Sequence, residues 1–498
     1  MEYRELKAIT MNDVKSTSTN KDNSATEQRL SLGGLKPLDQ LVQTVGLKGK
    51  FDGEVILFGA DPIIKSPHRL GEASAIAQLL IGVAAGAIWK HRTGNDTDVA
   101  IEIVDALHFL HPTHYVEQQG RAVNVGAEGV AVNDLFLCLD NRYIMLEAGP
   151  PYAKLLKGYL NFFDCGDNKQ SYAREVIKWD SEVLETELAK AGLPACRAFT
   201  REEWLAHPQG KLLNTVPVIE IEKIADGPKV PFSPSAIVSA PLSGIKVLDF
   251  THVLAGPRSA RTLAEYGADV LHISSPSYPD TFAQHLGVDV GKRCAYLDLR
   301  AQKDLDRLLV LARDADVFTT TYRHNVNERF GLLPARLAAQ STNGIICMTA
   351  NAYGHDGPWK DRPGFDQNGQ VASGFAVKEG GSGKPKFSPV FYLADLMTGY
   401  FAAAGMMAAL LRRATEGGSY HVKLSLARSA MWVQELGFLD IAHQGHLPET
   451  DNYPANRVTF DSVYGMISNL KPPLTFSNMT LPEVTTLHPY GSGDPVWK

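Results

Sequence analysis

Two aspartates in the second half of the chain stand where a carboxylate could do chemistry. Asp395 lies in the segment FYLADLMTG, at the start of a helix rich in small apolar residues, and Asp366 lies 29 positions earlier (395 − 366) in PGFDQNGQ. Enzymes use carboxylates as nucleophiles or as acid and base groups. The dipole and free N–H groups of a helix N-terminus favour an ionised carboxylate there. An aspartate at a helix start is also a common N-cap, so the pattern alone leaves a chemical role and a capping role open.

The stretch that precedes these aspartates predicts the element that positions a ligand. Residues 241–274 hold an apolar strand (IKVLDF), a loop with a histidine and Gly256-Pro257, a helix, and a second apolar strand (DVLHI). This order predicts a β-α-β unit, and α/β proteins bind ligands at the loop after the first strand. The loop has no GxGxxG, so a dinucleotide is not the expected ligand.

The order and spacing of these motifs over residues 241–430 resemble the family III CoA-transferases, which include formyl-CoA transferase, carnitine CoA-transferase and α-methylacyl-CoA racemase. The resemblance implies an α/β fold with a Rossmann-like CoA-binding part and a small α+β domain. It also implies that Asp395, which matches the family's ADxxxG motif, is the nucleophile. In the family this carboxylate attacks an acyl-CoA, forms a mixed anhydride and then an aspartyl-CoA thioester, and passes CoA to an acceptor acid. CoA is then a substrate, and no permanent cofactor or metal is expected.

The resemblance further implies which residues contact CoA. They lie in the loop after the first strand and in a later loop that aligns with the family's N-F-x-P-G loop: His252, Leu254, Ala255, Thr321, Tyr322, Arg323 and Arg329. Tyr322 keeps an aromatic face for the adenine, and Arg329 matches a phosphate-binding arginine of the family.

The sequence departs from the family's pattern at two of these positions and at one after the second strand. Leu254 replaces the glutamine of formyl-CoA transferase, Ser275 replaces an arginine of one branch, and Thr321 replaces an asparagine. Arg323 and the turn Gly291-Lys292-Arg293 are expected to supply positive charge for the phosphates of CoA instead.

Two other functions stay open at this point. Racemases of the family place a histidine directly before the carboxylate that aligns with Asp366, because racemisation needs an acid and a base on opposite faces of the α-carbon. That position is Phe365 here, which favours CoA transfer over racemisation unless His355 reaches the site. The altered CoA loops also leave open a catalytically silent CoA-binding protein.

The chain partly repeats itself. Residues 76–107 and residues 399–430 each hold a small-residue helix, a basic turn and a strand, at an offset of 323 (422 − 99). We interpret this as a tandem, partly degenerate arrangement, in which the small domain of the first copy closes over Asp395 of the second. By the same offset Glu72 corresponds to Asp395. A self-complemented monomer and a homodimer are both compatible with this arrangement.

The predicted organisation follows from this repeat and from local composition. It comprises a disordered polar N-terminus (1–30), a degenerate first copy with a helix-strand unit and a small α+β domain (31–215), a Pro- and Ser-rich linker (216–240), the CoA-binding and catalytic second copy (241–436) and an irregular tail (437–498).

Composition and charge limit the classes of protein to which the chain can belong. The chain has 498 residues, 44% of them hydrophobic and 21% charged, as expected for a globular protein of two or three domains. A net charge of −6 without a basic stripe argues against nucleic-acid binding. The longest apolar runs, near 79–89 and 400–411, are too short to predict a membrane span. Five scattered cysteines and no signal pattern make the cytoplasm the expected location, with mitochondrion and peroxisome as alternatives.

Overall fold

The computed structural model describes residues 27–30, 34–123, 130–149, 152–232, 238–278, 280–440 and 453–498. The predicted disordered N-terminus falls mostly on residues 1–26, which lie outside that set. Its last residues, Glu27–Leu30, form a strand that pairs with Val55–Phe58, which corrects the predicted boundary.

The first part of the chain forms a helix-rich layer and a small α+β unit. Its strands are β1 (Glu27–Leu30), β2 (Val55–Phe58), β3 (Val99–Glu102), β4 (Glu117–Gln118), β5 (Arg121–Ala122), β6 (Asp134–Leu137), β7 (Tyr143–Leu146) and β8 (Ala195–Arg197). Its helices are α1 (Lys36–Thr44), α2 (Leu70–Thr93), α3 (Ile103–His108), α4 (Ala153–Phe163), α5 (Lys169–Val176), α6 (Ser181–Lys190), α7 (Arg201–Ala206) and α8 (Pro208–Leu213), with a 3₁₀ turn at Pro112–Tyr115. Strands β6, β7 and β8 form one antiparallel sheet, as predicted for a small α+β unit.

The second part alternates strands with helices. Its strands are β9 (Glu220–Ala225), β10 (Lys246–Phe250), β11 (Asp269–Ser274), β12 (Lys292–Tyr296), β13 (Val317–Thr320), β14 (Ile346–Asn351) and β15 (Ser419–Ser425). Its helices are α9 (Ala255–Glu265), α10 (Phe282–Val288), α11 (Gln302–Arg313), α12 (His324–Arg329), α13 (Pro334–Gln340), α14 (Asp366–Ala372), α15 (Phe375–Gly380), α16 (Leu393–Glu416) and α17 (Leu426–Glu435).

These seven strands form one sheet in the order β12-β11-β10-β13-β14-β15-β9. The first six are parallel, and their order is the 3-2-1-4-5-6 of a doubly wound nucleotide-binding fold. Residues of β13 and most of β14 are buried on both faces, as parallel strands covered by helices must be. The α/β fold class is therefore confirmed. The predicted linker is wrong in part, because it contains β9, which pairs antiparallel with β15.

Helices α2 and α16 lie in the main hydrophobic core. Both are long and apolar enough, by length and composition alone, to cross a membrane, which corrects the expectation that these runs are too short. Nearly all of the apolar stretch of each helix is buried in protein. A helix that is apolar all round is a core element when protein surrounds it, and Ala and Gly allow the close packing seen here.

The two predicted repeat units correspond in secondary structure. Helices α2 and α16 each have 24 residues and begin 323 positions apart (393 − 70). Helices α3 and α17, which follow the next strand of each unit, also begin 323 positions apart (426 − 103). This agreement supports the interpretation as a duplication, which stays a prediction.

The predicted irregular tail contains regular structure. Strands β16 (Arg457–Ser462) and β17 (Gly465–Leu470) form a hairpin, and β18 (Thr475–Phe476) pairs with β3 of the first part. The chain then follows the exposed edge of β12, where the Gly493 N–H donates to the carbonyl of Cys294. A covered edge strand cannot pair with a strand of another chain.

Candidate active site

Asp395 is the third residue of α16 and does not cap that helix. Its own backbone N–H donates to Oδ2 of Asp366 over 2.7 Å, and the Ala394 N–H donates to the same carboxylate. An N-cap side chain accepts from these two positions of a first turn. Asp366, the first residue of α14, therefore caps α16 from another element, and the capping role that the sequence left open belongs to Asp366.

The two carboxyls are buried and influence each other. Burial raises the pKa of Asp366 to about 7, although the N–H groups of Asp395 and Ala394 and the amide of Gln370 act in the opposite direction. Burial, and then the charge of Asp366, hold the pKa of Asp395 well above its ordinary value. The N–H groups of the helix end, which were expected to favour an ionised Asp395, bind Asp366 instead.

Close packing places the helix that carries Asp395 beside the predicted CoA loop. Gly399 lies four residues after Asp395 and shares its face of α16. A Cβ at Gly399 would lie 2.8 Å from the carbonyl oxygen of Ala255, so α16 approaches the start of α9 as closely as its backbone allows. Leu254 and Ala255, both buried, thus lie beside the helix that carries Asp395.

A cleft of about 890 Å³ opens at the carboxyl ends of the parallel strands. His252 follows β10 and Thr321 follows β13, the two strands between which the sheet reverses its order. The His252 N–H donates to Oγ1 of Thr321 over 3.2 Å, and the His252 ring stacks on Tyr322 at 4.5 Å. Such a switch point is where doubly wound sheets bind ligands.

The cleft contains only part of the predicted CoA set. His252, Thr321, Tyr322 and Arg323 line it, together with Ser275. Leu254, Ala255 and Arg329 are not among its lining residues; the Arg329 guanidinium lies 5.4 Å from the Phe330 ring centroid instead. Burial lowers the pKa of His252 to about 4, so this histidine is neutral at neutral pH.

The predicted phosphate contact of the 291–293 turn is wrong. The fully buried Lys292 ammonium donates to Asp249 over 2.8 Å and to Asp289 over 2.9 Å. Arg293 forms a bidentate pair with Asp269. Among the described residues, Asp249, His272 and Asp289 form one group with metal-ligand chemistry, but the Lys292 ammonium already supplies the positive charge there.

The small α+β unit contributes two residues that sequence reasoning missed. Tyr152 lines the cleft, its ring 6.1 Å from Phe365 and 6.4 Å from His252. Burial, followed by the charge of Asp280 and smaller contributions that include Asp395, raises the pKa of Tyr152. Glu147, 5% exposed, accepts a hydrogen bond from the Asn368 N–H on the helix that begins with Asp366. The sequence signal for Glu147 is a polar group directly after the apolar strand YIML, and Tyr152 follows in the loop after it.

Arg300 is a third residue that sequence reasoning missed. It lines the same cleft as Tyr152 and pairs with Asp298. It follows β12, so the rule that ligands bind at the carboxyl ends of strands could have found it.

Phe365 and His355 bear on the racemase alternative. Phe365 lines the cleft and packs on Gly149, where a Cβ would lie 2.6 Å from its ring. His355 also lines the cleft, but its Nε2 lies 3.1 Å from the carbonyl oxygen of Leu424, and burial lowers its pKa to about 4. None of the contacts described for His355 joins it to Asp366 or Asp395.

Glu72, which corresponds to Asp395 in the first repeat unit, also lies in a helix turn that another aspartate caps. Asp61 accepts from the N–H groups of Gly71 and Glu72, the second and third residues of α2. The Glu72 carboxylate pairs with Arg69 over 3.1 Å and is partly exposed. The cap is therefore repeated, whereas the burial of the third helix residue is not, since Asp395 is buried and Glu72 is partly exposed.

A doubly wound sheet with a cleft at its switch point is the arrangement in which α/β proteins bind ligands, and the helix that carries Asp395 packs beside the loop after β10. Comparison with known proteins agrees, since residues 242–466 match the sequence profile of CoA-transferase family III. Over that segment the chain is similar to the enzymes of this family.

Individual relatives match over similar lengths. The chain is 35% identical over 222 residues to the acetyl-coenzyme A transferase nodX of Hypoxylon pulicicidum, covering 43% of this chain and 37% of the relative. It is 33% identical over 261 residues to an acyl-CoA transferase of Gibberella moniliformis, covering 50% and 46%. The chain thus spans less than half of the length of these two relatives. A crystal structure of a hypothetical protein from Mycobacterium tuberculosis is 31% identical, with 40% of this chain and 59% of that chain covered and a TM-score of 0.37.

Proposed function

We propose that the protein is a CoA-transferase that moves CoA from an acyl-CoA donor to a carboxylic acid acceptor through Asp395. The observation that carries this proposal is the buried Asp366–Asp395 pair, held beside the loop that begins the ligand cleft. Asp366 fixes the first turn of α16, and the Gly399 contact with Ala255 sets the distance between that turn and the loop. A nucleophile held in this way needs little reorganisation before it attacks.

The chemistry balances without any added group. An oxygen of ionised Asp395 attacks the thioester carbonyl carbon, the C–S bond breaks, and CoA leaves as a thiolate. The thiolate then attacks the aspartyl carbonyl of the mixed anhydride and releases the donor acid as a carboxylate. An acceptor carboxylate repeats the two steps in reverse and restores Asp395.

The cleft has the features that a CoA thioester requires. It combines aromatic rings at Tyr152 and Tyr322 with the cationic side chains of Arg300 and Arg323. Arginine binds phosphate in a bidentate manner, and aromatic faces stack on bases. The names of the two relatives, acetyl-coenzyme A transferase and acyl-CoA transferase, agree with an acyl-CoA donor.

The test is to trap the intermediate. The purified protein is incubated with a panel of acyl-CoAs and hydroxylamine, and modified peptides are mapped by mass spectrometry. A hydroxamate on Asp395, absent in Asp395→Asn while CoA still binds, is the expected result. Binding of CoA without an adduct at any carboxylate would contradict transfer through Asp395. Deuterium exchange at the α-carbon of a 2-methylacyl-CoA would favour the racemase instead.

A further inference from the structure

The loop that follows β10 contains a residue in a strained backbone conformation. Val253 has a φ of 66°, which lies in the left-handed region that glycine adopts readily and a β-branched residue rarely does. Residues in such conformations persist only where the surrounding structure imposes them, and they cluster at functional sites. The strained residue stands between His252, which lines the cleft, and Leu254, the residue before α9.

The residues before and after Val253 contact different elements. Before it, the His252 ring stacks on Tyr322, which lies in the loop after β13. After it, the Ala255 carbonyl oxygen lies against α16 at Gly399, where a Cβ would be only 2.8 Å from it. The change of backbone direction at Val253 therefore connects the contact in the cleft to the contact with α16.

Two side chains from neighbouring loops hold this conformation. The Val253 N–H donates to Oδ2 of Asp280 over 3.0 Å, and the His252 N–H donates to Oγ1 of Thr321 over 3.2 Å. Asp280 lies in the loop after β11 and Thr321 in the loop after β13, and these strands pair with β10 on its two sides. Of the two contacts, the one with Asp280 is made by the strained residue itself.

Asp280 is a strong acceptor for this N–H group. Burial raises the pKa of its carboxyl to about 6, while the Val253 N–H acts in the opposite direction, so the group is mainly ionised at neutral pH. A hydrogen bond from a backbone N–H to a carboxylate is charge-assisted and stronger than one to a neutral oxygen. The contact can therefore hold Val253 in a conformation that this residue would leave in its absence.

The small α+β unit approaches the same loop through Tyr152. The Tyr152 ring lies 6.4 Å from the His252 ring. After burial, the charge of Asp280 contributes most to raising the pKa of Tyr152, so the two side chains are close to each other. A substitution of Asp280 therefore has two neighbours through which it can act, Val253 and Tyr152.

We propose that Asp280 is a positioning residue, which holds Val253 in its left-handed conformation and thereby keeps the loop after β10 in the form that binds CoA. This inference rests on the proposed function, since it takes CoA as the ligand of the cleft. Without the contact to Asp280, the loop relaxes toward a negative φ at Val253, and only the fraction of molecules that keeps the strained form binds. The apparent affinity for CoA then falls in proportion to that fraction.

The experiment measures CoA affinity by isothermal titration calorimetry, and hydroxamate formation on Asp395 at increasing concentrations of an acyl-CoA that modifies the wild type. Asp280→Ala removes the acceptor, and the affinity should fall by roughly 5- to 150-fold, the factor that corresponds to the strain of one such residue. The half-saturating acyl-CoA concentration should rise by the same factor, with the rate at saturation little changed. Asp280→Asn keeps an acceptor oxygen and should lose less affinity.

The same substitution in a Val253→Gly background identifies the route of the effect. Glycine adopts a positive φ without strain, so Asp280→Ala should change the affinity little in that background. Equal losses in the two backgrounds would show that Asp280 acts through Tyr152 or through the fold, and would overturn the proposal. If Asp280→Ala does not fold, Asp280→Ser, whose shorter side chain withdraws the acceptor, takes its place in both backgrounds.

The outcomes separate this proposal from the proposed function. A wild type that binds CoA without an adduct on Asp395 defeats the transfer mechanism and leaves the comparison of affinities valid. A wild-type adduct together with an undiminished CoA affinity in Asp280→Ala overturns the role of Asp280 alone. Asp306→Ala, which removes an exposed acid of α11, is the matched control and leaves the affinity as in the wild type.

Discussion

Asp366 accepts the backbone N–H of Asp395 over 2.7 Å, so one acid of the pair closes the first turn of the helix on which the other stands. Asp366→Ala leaves two buried N–H groups of α16 without an acceptor, and we expect a loss of about 1–3 kcal/mol in the free energy of unfolding. Asp366→Asn retains an acceptor oxygen and should lose less. Urea unfolding of both variants measures the difference, and equal losses would show that the cap contributes little.

Stability should decrease as pH rises from about 4 to about 7. Burial raises the pKa of Asp366 to about 7 and that of Asp61 to about 6, both from an ordinary 3.8. The folded chain therefore holds protons that the unfolded chain releases in this window, and each group lowers the free energy of unfolding by up to about 1.4 kcal/mol per pH unit. Asp61→Asn should flatten the decline between pH 4 and 6 in urea titrations. A slope identical to that of the wild type would contradict this assignment.

Gly399 should be required for activity beyond its effect on stability. A Cβ at this position would lie 2.8 Å from the Ala255 carbonyl oxygen and would separate α16 from the loop before α9. Gly399→Ala should cost about 1–3 kcal/mol of stability and lower the rate of Asp395 modification in the folded fraction. Gly383→Ala, where the nearest atom is 3.6 Å away, is the control and should change neither quantity. Full activity in Gly399→Ala would argue against the close approach.

Lys292→Met should destabilise the fold strongly. The Lys292 ammonium is fully buried and is the larger of the charges that, against burial, hold the pKa of both Asp249 and Asp289 below the ordinary value; His272 is the next. Its removal takes from two buried carboxylates their main cationic partner, and breaking a buried ion pair typically costs about 3–5 kcal/mol. Thermal and urea unfolding measure the loss. A variant as stable as the wild type would show that the cluster takes up protons without penalty.

Substitutions at Arg323 and at Arg329 should differ in their effect on CoA affinity. The family resemblance predicted that both arginines contact CoA, but of the two only Arg323 lines the cleft. A hydrogen bond to a charged group contributes about 1.5–3 kcal/mol, so Arg323→Ala should weaken CoA binding by about 10- to 150-fold. Arg329→Ala should leave the affinity close to that of the wild type. Isothermal titration calorimetry measures both affinities. A larger loss in Arg329→Ala than in Arg323→Ala would place the phosphates of CoA outside the cleft.

The sequence predicted the ligand-binding end of the sheet because the signals there are local. An apolar strand, a polar loop and a helix define a β-α-β unit, and parallel strands bring the loops that follow them to one edge. His252 and Thr321 meet there although they are 69 positions apart. The position of Asp395 at the start of a helix was also predictable from its motif.

Contacts between side chains of distant segments were not predictable. Glu147 approaches a helix whose first residue is 219 positions later (366 − 147), and no periodic pattern reports such a contact. The sequence predicted a cap of α16 only as a general possibility, because the residue that caps it belongs to another helix. The residues next to the start of α16 in the sequence therefore do not identify it. The burial of Lys292 was missed for a similar reason, since its neighbours in the sequence are those of an exposed turn.

The segment that carries the family resemblance is not a unit that can be cut out of this molecule. Residues 242–466 include α16, but that helix is covered by α2, which belongs to the first part of the chain, and both lie in one hydrophobic core. A gene fragment trimmed to the family boundaries would expose the apolar flank of its own central helix and lack both Tyr152 and Glu147. Recombination between such proteins, in the laboratory or in evolution, would have to exchange both parts together.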